Sequence, residues 1–459
     1  MRRLLIGVVA LVVLAGGAAG VLWYFHKRTP SHNEFGSSTK EFVTTAPPVK
    51  KRPIASITTK PWPMYGYDAA RTHDAAQFKL RPPFKKIWTL RLGNIIEFPP
   101  VVGYGLLFVN QLRGRFFVVD AATGKRQFRK HFLNCGAASP VIGKGIVYQA
   151  YMQPYPCKRY PRTQRGFIAA ILFRGRRGNL FRRGKVLWYF RAGAVETSPL
   201  LVDGILYFGS WDHHLYALDV RVRTHPRLRW KFLADDEIDS SPAYANGRIF
   251  FGTNGGHVYA LSAWTGHELW RASSFSGFLH GREYFYATPT LAYGRVYIGN
   301  TDGTLYAFGQ RTGHLLWARH AGTYVYSAAA VWRNEVIIGT YDGHLIAYNA
   351  ATGRTIWDHT APAAIHGAPS VVNGIVYFST CGGCGSHGSR YAKAGPRRTF
   401  AVSAGSGRVL WKWPDGQYSP VVADSQRLYV VGRTHVYGFV PASKYRAYRR
   451  NVLHKRPRR

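Results

Sequence analysis

The chain has 459 residues, 46% of them hydrophobic and 15% aromatic, which excludes a largely disordered chain and is enough for a large core. Its formal charge of +40 would mark a cytosolic chain as a nucleic-acid binder. Abundant Gly, Tyr and Val with few acidic residues favour an all-β class over a helical one.

At the N-terminus Arg2 and Arg3 precede an uncharged apolar run over residues 4–25, closed by His26, Lys27 and Arg28. Such a run is long enough to cross a bilayer. A cleaved signal peptide is the rival reading, since Ala18, Ala19 and Gly20 are small, but the apolar run continues through Val21, Leu22 and Trp23. Residues 1–28 are therefore expected to be a single transmembrane signal-anchor, with the short basic end in the cytoplasm and the large domain outside. Export sets nucleic acid aside as a partner. The positive charge then points to anionic lipid head groups or acidic envelope polymers, while a general Arg bias with no specific partner accounts for it equally well. Residues 29–60, rich in Ser, Thr, Pro and Lys without apolar periodicity, read as a flexible linker.

From residue 61 onward a unit recurs about every 40 residues, the period of propellers and solenoids. In its clearest copy Thr288-Pro289 is followed by Tyr293-Gly294, Asp302-Gly303, Thr312-Gly313 and finally Trp317. Related copies end at Phe128, Trp188, Trp230, Trp270, Trp357 and Trp411. Each reads as four short strands joined by Gly-containing turns. The last copy, from Ser419-Pro420 to Phe439, lacks a fourth strand, whereas Lys86-Ile87-Trp88-Thr89-Leu90 stands alone before the first copy. Pairing these two closes a ring and removes an exposed sheet edge. The expectation is an all-β, eight-bladed β-propeller over residues 61–441, closed by its N-terminal strand and read as a monomer. The basic residues 442–459 are expected to be a disordered tail.

The repeat in Asp120-Ala121-Ala122-Thr123-Gly124 and in Ala350-Ala351-Thr352-Gly353-Arg354-Thr355-Ile356-Trp357 resembles that of the pyrroloquinoline-quinone (PQQ)-like propellers. The opening Trp62-Pro63-Met64-Tyr65-Gly66-Tyr67-Asp68-Ala69-Ala70-Arg71-Thr72 is similar to the segment that begins many members of that family. The resemblance implies that Trp88, Trp188, Trp230, Trp270, Trp317, Trp357 and Trp411 dock between blades as structural residues. It also implies two function classes: quinone-dependent dehydrogenases of alcohols and sugars, and non-catalytic members that include the lipoprotein scaffold of the outer-membrane assembly machine. Fold alone does not choose between them.

Taking the residue three before each repeat's Pro position gives a ring expected at the channel mouth: Glu97, Ala137, Glu196, Asp239, Tyr286, Tyr326, His366 and Gln417. Glu97, Glu196 and Asp239 are weak candidates for a shared calcium, which takes several oxygen ligands. They are also candidates for gripping a cationic ligand, or simply for hydrogen-bonding the inner strands. The resemblance implies, for the family's alcohol dehydrogenases, a disulfide between adjacent cysteines, and this chain has no adjacent pair.

Two insertions break the repeat on the mouth side, 151–165 in the second blade and 381–398 in the seventh. Cys135 and Cys157 belong to neighbouring loops there, so a bridge between them is geometrically reasonable, and Gly382-Gly383 allows a tight Cys381–Cys384 bridge. A redox C-x-x-C or a zinc site is the sharper alternative; no βαβ setting accompanies it. Gly385 follows Cys384 where a c-type haem needs His. The Arg-rich stretch from Phe173 to Arg183 is expected on the opposite face. The favoured reading is a membrane-anchored binding scaffold outside the cytoplasmic membrane, with a protein or anionic envelope polymer as partner and no cofactor. The alternative is a membrane-bound quinoprotein dehydrogenase using PQQ and calcium.

Overall fold

Short runs of alternating apolar residues separated by Gly-containing turns fold into eight four-stranded antiparallel sheets. In this computed structural model the described residues are 35–44, 61–157, 165–174, 184–274, 283–384, 390, 392–418 and 421–453. The expected membrane anchor, the basic residues 175–183 and the last six residues lie outside them. Among the described residues no helix is long and apolar enough to cross a membrane. Seven blades are continuous in sequence, covering 101–131, 141–192, 200–233, 243–273, 290–320, 330–360 and 370–413. The eighth joins the strand Phe84–Arg91 to the strands Val421–Ala423, Leu428–Val431 and His435–Pro441. Trp88 lies opposite Gly438 in that pairing, so the ring closes as the orphan strand predicts.

The repeat motif has a visible job. Asp120 Oδ1 accepts the backbone N–H groups of Ala122 at 3.1 Å and Thr123 at 2.8 Å and the Thr123 hydroxyl at 2.7 Å, which shapes the last turn of the blade. The turn ends on Gly124 at φ +71°, and the Trp of the preceding blade lies against it: a Cβ there would sit 2.8 Å from the Trp88 ring. Gly353 meets Trp317 in the same way. The indole N–H then reaches the turn's carbonyl, Trp317 to Ala350 at 3.1 Å and Trp357 to Ala404 at 2.7 Å. Two tryptophans depart from this pattern. Blade 3 has Val220-Arg221-Val222-Arg223 in place of Thr-Gly, and Trp188 Nε1 is buried without a partner. Blade 8 has no such hairpin, and Trp411 packs on Phe84 and Phe439 instead.

Strands alternate in direction, so the blade-to-blade connections and the second-to-third-strand loops share one face, the mouth face, while the other turns share the opposite face. Both insertions lie on the mouth face. Cys135–Cys157 and Cys381–Cys384 are bonded, with Cα separations of 5.8 Å and 5.7 Å.

Two stretches differ from expectation, both on the opposite face. Within the linker, residues 35–44 lie against blades 5 and 6: Phe35 and Ala318 exchange backbone hydrogen bonds at 3.0 Å, and Val43 N–H donates to Tyr293 O at 3.0 Å. The fully buried Arg295 donates to Ser38 and Lys40 carbonyls and stacks on Phe42, which holds a segment with little apolar content of its own. Within the expected tail, Ala442–Tyr448 is an α-helix continued by a π-helical turn, Arg449–Leu453. Its anchor is Tyr448, which donates to Ala122 O of blade 1 at 2.6 Å beside the Asp424–Arg427 ion pair of blade 8, at the junction of these two blades.

Candidate binding site at the channel mouth

Inner strands are edge strands, with backbone N–H groups facing the channel. Here a segment of irregular backbone satisfies them. The middle N–H of one inner strand after another donates to residues 62–73: Val102 to Trp62, Ile142 to Pro63, Tyr244 to Ala69, Leu291 to Ala70, Val331 to Thr72 and Val371 to His73, all at 2.7–3.0 Å. Blade 3 is reached by Arg71, whose Nη2 donates to Ser198 O at 3.0 Å while Nε donates to Pro242 O at 2.9 Å and Nη1 to Tyr65 O at 2.6 Å. Arg71 is fully buried, and burial brings its guanidinium down to about 10. The segment thus floors the channel. No helical or strand periodicity announces it, and its one signal was the resemblance of Trp62 to Thr72 to the family's opening segment.

Above this floor a cavity of about 40 Å³ is lined by Trp62, Tyr65 and His73 from below and by Glu97, Asp239, Tyr286, Tyr326 and His366 from the mouth. Five of the eight ring positions counted from the Pro register therefore meet in one place. Ala137 is buried outside the lining, packed with Cys135 and Trp211. Glu196 lies just behind the wall, accepting the Tyr286 hydroxyl at 3.0 Å. Gln417 is buried outside the lining, and its neighbour Tyr418 takes its place.

The ring divides by chemistry. Acids come from blades 1, 3 and 4; aromatic rings come from blades 5, 6 and 7 and from Tyr418. Tyr286 and Tyr326 centroids are 4.4 Å apart, Tyr326 and His366 4.2 Å, and Tyr418 meets His366 edge-on at 4.8 Å. Asp239 is held by the Trp211 indole N–H and by Asn254 Nδ2 at 2.7 Å; His366 Nδ1 is 2.6 Å from the Tyr341 hydroxyl. Sequence reasoning missed Trp211, Asn254, Tyr341 and Tyr418, which lie outside the counted register. Burial pushes the Glu97 carboxyl up to about 7 and His366 down to about 3, so the imidazole is neutral. Burial raises Tyr286 and Tyr326 well above the usual phenol range, and the Glu196 charge adds to both.

Among the described residues no three Asp, Glu, His or Cys side chains come together as a metal-holding group. Glu196 and Asp239 are turned toward Tyr286, Trp211 and Asn254 instead. The cavity holds the volume of roughly three water molecules by the usual measure.

An eight-bladed ring with a Trp docked on each intact Thr-Gly turn defines the class: a β-propeller of PQQ-like repeats. The family model described as outer membrane protein assembly factor BamB matches residues 222–448. The match covers just under half of the chain, over repeats of the PQQ-like β-propeller type. Among solved structures, BamB from Moraxella catarrhalis is similar with a TM-score of 0.59 at 14% identity, covering 78% of this chain and 99% of that one. The quinohemoprotein alcohol dehydrogenase of Comamonas testosteroni is similar at 0.64 and 13%, covering 85% and 81%. The computationally designed Ika8 protein gives 0.59 and 16%, covering 78% and 99%. At these identities the likeness is one of fold. No curated protein sequence matches the chain.

Proposed function

We propose that this propeller is a membrane-anchored, extracytoplasmic binding scaffold that engages an envelope protein or an anionic polymer through its mouth face. The observation that carries the reading is the division of labour between the two faces. The docked segment 35–44 and the C-terminal helix both use the opposite face. The mouth face carries both disulfide-tied insertions and the open end of the channel. Stiffened loops on a rigid ring are the usual way a propeller presents a recognition surface. Residues 222–448 match a family described as an outer-membrane assembly factor, which agrees with a protein partner.

The alternative, a dehydrogenase using PQQ and calcium, is supported by the fold likeness to the quinohemoprotein enzyme. The small cavity and the turned-away carboxylates weigh against it. Reconstitution with PQQ and calcium, followed by dye reduction with alcohols and aldoses, tests the choice. The expected result is no turnover. Turnover that disappears in Glu196→Ala overturns the scaffold reading.

A further inference from the structure

We propose that the channel mouth is a binding site for one cationic head group, a guanidinium or an alkylammonium, presented from the mouth face. In a chain with 62 Lys and Arg, none of the described residues lining this cavity is either one. The acids of blades 1 and 4, Glu97 and Asp239, form one side of it, and the rings of Tyr286, Tyr326 and Tyr418 form the other. A cation is best held where a carboxylate neutralises it and an aromatic face lies within about 6 Å. Both are supplied here by residues just before the inner strands that are already held by ring stacking and hydrogen bonds, so little ordering is needed on binding.

Two further features point the same way. His73, only 2% exposed, lines the floor, and its Nε2 has no hydrogen-bond partner. Burial keeps both His73 and His366 neutral, near 3, so neither places a competing positive charge in the cavity. A neutral imidazole nitrogen in the appropriate tautomer accepts an N–H from the ligand. The volume, about 40 Å³, admits a small head group and leaves the stem outside. The inference deepens the scaffold reading by naming the group a partner would insert, and it rests on that reading only for the identity of the carrier.

The full chain, labelled with 3-fluorotyrosine, is titrated with methylguanidinium, butylammonium, a short peptide bearing one Arg and the same peptide bearing citrulline, and followed by fluorine NMR. The Tyr326 resonance is assigned with Tyr326→Phe. Saturable shifts with the three cationic probes but not with the citrulline peptide are expected, and Glu97→Gln weakens them about tenfold. A tighter Arg peptide than free methylguanidinium assigns the group to a polypeptide side chain; the reverse order assigns it to a free cation. Equal binding of the citrulline peptide, absence of saturation, or unchanged affinity in a folded Glu97→Gln and a folded Asp239→Asn overturns the proposal. Because only the purified chain is used, failure here is distinct from failure to find a scaffold partner.

Discussion

Arg71 Nε donates to the carbonyl oxygen of Pro242 at 2.9 Å, so a side chain from before the first blade is built into the ring at blade 4. The same guanidinium serves Tyr65 and Ser198. Arg71→Met leaves those carbonyls unsatisfied in the interior, at a cost of about 3 kcal/mol or more on the scale of charged hydrogen bonds. The expected outcome is a lower melting temperature together with faster amide exchange at Tyr244, Leu291 and Val331, whose N–H groups depend on the floor segment. Unchanged exchange at these amides contradicts the assigned role.

Trp317 and Trp188 give a contrast in one side chain. Trp317 donates to Ala350 O and Trp188 donates to nothing. Trp317→Phe therefore removes a buried hydrogen bond, worth about 1 kcal/mol net, in addition to packing. Trp188→Phe relieves an unsatisfied donor, so its destabilisation is the smaller of the two. Denaturant midpoints of both variants check the order.

Much of the ring was legible because its determinants are local and repeated. Thr-Gly needs a left-handed glycine under a Trp, and the orphan strand around Trp88 had one partner left to find, the strand ending beyond Phe439. The mouth positions followed from counting back from each Pro, yet which of them share a cavity did not, since Glu196 is drawn behind the wall by Tyr286 and Tyr418 displaces Gln417. The floor, for a different reason, was not legible in its role beyond the likeness of Trp62 to Thr72 to the family's opening segment. It bonds through backbone carbonyls, which leave no side-chain pattern, and Arg71 looks like any surface cation in so basic a chain. The helix Ala442–Tyr448 has a single buried residue, Tyr448, and hence no apolar period to read.

The two disulfides should differ in worth. Cys135 and Cys157 are 22 residues apart, and Cys381 and Cys384 are 3 apart. Chain-entropy arguments give about 3 kcal/mol for the longer loop and roughly half that for the shorter. Cys135→Ser with Cys157→Ser is expected to lower the melting temperature more than the Cys381→Ser and Cys384→Ser pair, as scanning calorimetry of the two double variants will show.

Glu97 carries a pH signature. Its folded carboxyl, at about 7, lies above the unfolded value, so the native state holds its proton longer. The stability from this group is complete below about 4.5, the ordinary carboxyl range, and is lost as pH rises through 7. Glu97 shares its cavity with Asp239, His73, His366, Tyr65, Tyr286, Tyr326 and Tyr418. The two histidines, both near 3, act in the opposite sense, destabilising as pH falls below about 6.5. The difference in melting temperature between Glu97→Gln and the parent isolates the carboxyl, and it is expected to grow in favour of the variant between pH 5 and 8. A difference independent of pH contradicts the assignment.

Site-specific photo-crosslinking in living cells tests the central claim most directly, because it asks which face meets a partner. A cross-linker replacing Tyr155 or Arg397, in the two mouth-face insertions, is predicted to give a discrete protein or polymer adduct, and one replacing Arg333 or Arg354, on the turns of the opposite face, is predicted to give none. Adducts formed only from Arg333 or Arg354 would contradict the account.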